Sequence, residues 1–144
     1  MNMSRNIEAW NKFAMQSSPS DFQVGTPLRA AAIANRYWGS ANNGGINSFL
    51  TVSYDLDAKE ILEALILIGA LEAAKQFNRV LLALRVPLPV SSQDDRWNLL
   101  ERHWTESMDS HDLLSEEADR DLSRALKIHV EAYEDFYISL ESDE

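Results

Sequence analysis

The chain has 144 residues, enough for one domain with a core that needs no disulfide or metal staple. With 45% apolar residues, five Gly and four Pro, it is neither a disordered tract nor a fibrous repeat. The lack of cysteine excludes disulfide frameworks, thiol nucleophiles and cysteine metal sites, and a net charge of −10 argues against bare nucleic acid and anionic membrane as ligands.

Hydrophobic spacing is helical from end to end. A first helix is expected over residues 4–15 with Ile7, Trp10 and Ala14 inward, and its charged turns leave no signal-peptide core. Thr26 then reads as an N-cap with Pro27 at the first helical position. That helix should stop at Asn42-Asn43-Gly44-Gly45, a cluster that tolerates left-handed backbone. A short helix or turn leads to Asp57, which with Glu60 resembles a capping box. The two open the most apolar stretch, residues 61–74, expected as a central buried helix with a break or close crossing at Gly69-Ala70.

Pro87 and Pro89 end that run. The next helix carries Trp97, Leu100, Trp104 and Met108 as a stripe, for which core packing is the ordinary reading and an exposed binding ridge the alternative. Ser115 should cap a long last helix with Ala118, Leu122, Leu126, Val130, Tyr133, Tyr137 and Leu140 inward. No apolar run reaches the length of a membrane span, and a cytoplasmic location is expected. The fold class is all-α: a single-domain helical bundle of five to seven helices. Residues 1–25 form an N-terminal helix and loop, 26–140 the helical domain, and 141–144 an acidic tail.

Enzymatic signatures are missing. There is no phosphate-cradling loop, nucleophile elbow or His-Glu-x-x-His. The Glu-x-x-His pairs of di-metal bundles fail at His103, His111 and His129, which follow Leu100, Met108 and Leu126 by three. The cluster His103, Asp109, His111 and Asp112 reads as a polar linker, and His129 as a satisfied buried histidine. No catalytic residue, metal or cofactor is expected. Asn42 to Gly45 could also form an anion-binding nest, although a helix stop is the commoner use of such residues.

The charge is uneven. Residues 1–104 carry ten acids and ten bases, whereas residues 105–144 carry thirteen acids and three bases. On the last helix Glu117, Asp121, Glu131 and Asp135 are expected outward, flanked by Glu116, Asp119 and Glu134. Forty helical residues bearing −10 give one net charge per ~6 Å, against one per ~1.7 Å of duplex DNA. One helix alone is a dilute imitation of DNA; a dimer or pooled surface acids would approach it more closely.

From Tyr37 onward the order of features resembles an all-helical domain family whose namesake is DNA mimic protein 19. An aromatic-bearing helix (Tyr37-Trp38) runs into Asn43-Gly44-Gly45, then Phe49, then a helix ending in Ile68-Gly69-Ala70. The resemblance covers residues 37–137; Ile46 and Asn47 depart from the family's usual aromatic and glutamine. It implies an acidic helical protein, often a homodimer, that occupies the DNA-binding surface of a partner. The expected function is therefore a non-enzymatic acidic protein-interaction domain, with Glu117, Asp121, Glu131, Glu134 and Asp135 touching a basic protein such as a DNA-binding regulator. The alternatives are an immunity or antitoxin-like inhibitor of a basic nuclease and, in another class, a small helical metal-dependent hydrolase.

Overall fold

The computed structural model of the chain describes residues 3–140, and all their regular structure is helical. In order these are α1 (Met3–Gln16), α2 (Pro27–Val52), α3 (Ala58–Leu67), α4 (Leu71–Leu84), α5 (Gln93–His103), α6 (Glu116–Ala132) and α7 (Glu134–Ser139). Short 3-10 turns lie at Pro19–Asp21 and Glu106–His111. The all-α reading holds. The acidic residues 141–144 lie outside the described residues.

Caps fall where the polar side chains suggest. Thr26 Oγ1 accepts the Arg29 N–H at 3.3 Å, Ser92 Oγ that of Asp95 at 3.1 Å, and Ser115 Oγ that of Ala118 at 3.1 Å. Asp57 accepts the Lys59 N–H at 2.7 Å, but Glu60 does not complete a capping box. Its carboxylate instead takes both forks of Arg29, Nη2 to Oε1 at 2.7 Å and Nε to Oε2 at 3.2 Å. Arg29 Nη1 also donates to the Pro19 carbonyl, so one guanidinium joins α2, α3 and the first loop.

Helix α2 does not end at the Asn-Gly-Gly cluster. It kinks at Gly45 (φ 91°, ψ 171°) and resumes through Val52. The N–H groups just past the kink have lost their helical acceptors, and Asp112 supplies new ones. The Ile46 N–H donates to the Asp112 carbonyl and the Asn47 N–H to Asp112 Oδ1, both at 2.7 Å. Gly69 (φ 87°) makes the break between α3 and α4, so the apolar stretch forms two helices.

The core is built from α2, α3, α4 and α6, with Tyr37, Phe49, Leu65, Phe77, Leu122 and Leu126 fully buried. Each such side chain stabilises the fold by about 1.5–3 kcal/mol through burial. Tyr37 packs edge-on against Phe49 and Phe77, with centroids 5.0 and 5.4 Å away.

Several local expectations are corrected. The inward residues of α1 are Ala9 and Phe13, while Ile7 and Ala14 face out, because α1 packs against α6 and α7 on that side. Helix α3 is not apolar and buried all round: Ile66 and Leu67 are each 52% exposed. The last helix divides at Tyr133, although Leu122, Leu126, Val130 and Tyr137 remain buried. Trp97 is 52% exposed, and the fully buried residue beside it is Arg96.

Among the described residues, Arg96 has no carboxylate within hydrogen-bond distance. Its guanidinium donates to the carbonyls of Leu50 (2.8 Å), Ser53 (3.2 Å), Leu56 (2.7 Å), Leu88 (3.4 Å) and Pro89 (2.9 Å). Leu50 and Ser53 lie at the C-terminal end of α2, the negative end of a helix dipole. One buried cation thus ties the end of α2, the entry to α3 and the loop before α5.

Candidate protein-interaction surface

Net charge becomes a surface property only after internal pairing is subtracted. Asp121, on the second turn of α6, is 8% exposed and accepts the Glu72 N–H at 2.7 Å, capping α4 from a neighbouring helix. Arg124 is hydrogen-bonded to its other oxygen. Asp121 therefore holds α4 to α6.

Glu134 and Asp135 open α7, which packs on α1. Arg5 reaches both: its Nε donates to Glu134 Oε1 at 2.8 Å, and Nη2 pairs with Asp135. Asp135 is otherwise open, with its side chain 90% exposed. Lys12 donates to the carbonyls of Ile138 and Leu140, closing α7 from the other end. Glu117 is exposed and Glu131 half-buried, and neither has an ion-pair partner among the described residues.

The five acids are thus not one row. Arg120, Arg124 and Lys127 stand exposed between Glu117 and Glu131 on α6. Residues 120–140 hold four acids and three bases. Residues 93–119 hold nine acids and two bases, and one of those bases is the interior Arg96. Asp94, Asp95, Glu101, Glu106, Asp109, Glu116 and Glu117 are all exposed along this segment. Asp94 and Asp95 open α5, while Glu116 and Glu117 open α6, where carboxylates also oppose the positive helix end. Among the described residues, most uncompensated acidity therefore lies on α5, the 3-10 turn and the start of α6.

Two other acids of this segment act internally. Asp112 docks on the α2 kink as described, and Asp119 accepts the Trp38 indole N–H at 2.7 Å and the Asn42 amide at 3.0 Å. The Asn42 amide and then the Trp38 indole hold the Asp119 carboxyl below its ordinary range. The amides that receive a carboxylate are those of Ile46 and Asn47, just past the Asn-Gly-Gly motif, and the carboxylate is Asp112 of the same chain. Gly45 permits the approach: a Cβ there would lie 2.7 Å from Asp112 Cγ. In the second motif Ile68 and Ala70 donate to Ala64 and Leu65, closing α3, while Gly69 supplies the left-handed turn.

Of the polar cluster near the α5–α6 connection, Asp109 accepts the Trp104 indole N–H at 2.9 Å. No group of three or more His, Asp or Glu that could hold a metal occurs among the described residues. His129 is buried on α6, sharing a 2.6 Å hydrogen bond with the Tyr137 hydroxyl and stacking on Tyr133 at 4.7 Å. Burial pushes its imidazole down to about 4. No helix among the described residues is long and apolar enough to cross a membrane.

Sequence reasoning missed Arg96, which looks like one more surface charge on a polar helix. It also missed the pairing of Arg5 with α7, made across 129 residues of chain. Comparison with curated proteins and with solved structures returns no match. A family model described as DMP19-like protein matches residues 23–139.

Proposed function

The chain belongs to the DMP19-like family, and on that premise we propose that it is a non-enzymatic interaction domain whose acidic surface occupies the basic, DNA-binding face of a partner protein. Membership supports a DNA mimic-type domain. The observation that carries the reading to particular residues is the net charge of residues 93–119, most of it on exposed carboxylates with no ion-pair partner among the described residues.

Within this reading the five acids on α6 and α7 divide by role. Glu117 and Glu131 join Asp94, Asp95, Glu101, Glu106 and Glu116 as groups open to a partner. Asp121 and Glu134 serve mainly the fold, and Asp135 presents an exposed edge that Arg5 partly neutralises. Pairing of two copies would raise the charge density further. Steering by such a field speeds association and weakens with salt.

The test is affinity capture of a tagged chain's partner at low and high salt, with duplex DNA as competitor. The reading expects a DNA-binding protein that is released both by salt and by DNA. A partner whose retention is indifferent to DNA contradicts it. No observation favours the hydrolase alternative, since Asp109 and Asp112 are already engaged in internal hydrogen bonds.

A further inference from the structure

Alongside the kinked half of α2 runs a groove of about 170 Å³, lined by Asn47, Thr51, Trp97, Leu100, Glu101 and Trp104. Trp97 is half exposed, so its indole is open to a ligand in the groove. Glu101 stands one helical turn beyond Trp97 on α5, on the same face, and makes no ion pair among the described residues. The Trp104 ring is fixed by its indole N–H bond to Asp109. None of the six lining residues is cationic.

Two indoles, a free carboxylate and the neutral polar groups of Asn47 and Thr51 form a chemically specific set. Indole faces attract a delocalised cation, and a carboxylate accepts the two parallel N–H groups of a guanidinium. An ammonium ion is more strongly hydrated and lacks the planar fork, so it fits this set less well. An anion would meet Glu101, and a purely apolar group would leave the carboxylate buried without a partner.

We propose that this groove is a guanidinium subsite that takes one arginine side chain of the partner protein. The inference rests on the basic-surface reading above and deepens it. Phosphate mimicry needs only carboxylates, whereas the indoles add a contact by which this chain would distinguish an arginine from a lysine at the docking face.

Titration with N-acetylarginine amide, followed at the indole N–H resonances of Trp97 and Trp104, tests the subsite without any partner protein. Saturable shifts of both are expected, with none from the neutral isostere N-acetylcitrulline amide. Glu101→Gln, at an exposed position, should weaken binding about two- to fivefold, and Trp97→Leu by a similar factor. Absence of saturable shifts, equal shifts from the citrulline compound, or unchanged binding by Glu101→Gln overturns the proposal. Because no partner takes part, a negative result removes the subsite and leaves the basic-surface reading to its own capture experiment.

Discussion

Asp112 stands against Gly45 so closely that position 45 has no room for a side chain. The carboxylate and carbonyl of one residue serve the two N–H groups beyond the α2 kink, at 2.7 Å each. A break in a core helix thereby becomes a joint between α2 and the α5–α6 connection. Gly45→Ala forces a non-glycine residue into a glycine-only region of backbone, which costs about 1–3 kcal/mol, and it also displaces the cap. Thermal melting should fall by roughly 5–10 °C. Asp112→Ala, which only removes the acceptor, should cost about 1–2 kcal/mol. An unchanged melting temperature for Gly45→Ala would show that the joint is unimportant.

Arg96 offers a second stability test. Replacement by Met keeps much of the apolar stem and leaves five carbonyls without their donor. Loss of a buried charged donor of this kind costs about 3 kcal/mol or more, measurable as a lowered urea midpoint. Arg96→Lys should recover little, because one ammonium cannot reach acceptors arranged for a fork. Full recovery by lysine would mean that charge alone matters here.

What was legible in the sequence follows from what is local. Thr26, Ser115 and Asp57 announce helix starts because their acceptors serve N–H groups two or three residues on. Leu122, Leu126 and Val130 show their face through spacing alone. The Asn-Gly-Gly cluster reads as a stop because its rescuer, Asp112, lies 65 residues from Asn47. Spacing alone turns Ile7 inward on α1, because an isolated amphipathic helix does not show which neighbours will cover it. The acids of α6 and α7 looked alike for the same reason: only the assembled bundle reveals Arg5 beside Glu134 and α4 beside Asp121.

His129 predicts a pH dependence. The unfolded chain binds a proton on this side chain as pH falls through its ordinary 6.5, whereas the folded one resists until about 4. The unfolded state therefore holds more protons in that window. The stability kept by neutral His129 is complete above 6.5 and is lost as pH falls from 6.5 to 4, a change of about 3 kcal/mol. Urea unfolding at several pH values should show that slope, and His129→Gln should flatten it. An equally steep slope in the variant assigns the effect to other groups.

Asp121 and Glu117 are one turn apart on α6 and should behave differently. Asp121→Ala removes the α4 cap and should lower stability by about 1–2 kcal/mol. Glu117→Gln alters an exposed group and should stay within about 0.5 kcal/mol of the parent. Equal effects in denaturant titrations would contradict the division between structural and open acids.

The proposed function has the open carboxylates of residues 93–119, rather than the arginine-paired ones on α7, meet the partner. Its most direct test is the affinity of the captured partner for two charge-neutralised chains at fixed low salt. One carries Asp94, Asp95, Glu101, Glu106, Glu116 and Glu117 as their amides, and the other Glu134 and Asp135. The first should lose most of its affinity and its salt dependence, while the second keeps nearly all of both. Undiminished binding by the first chain, or a larger loss in the second, contradicts the claim.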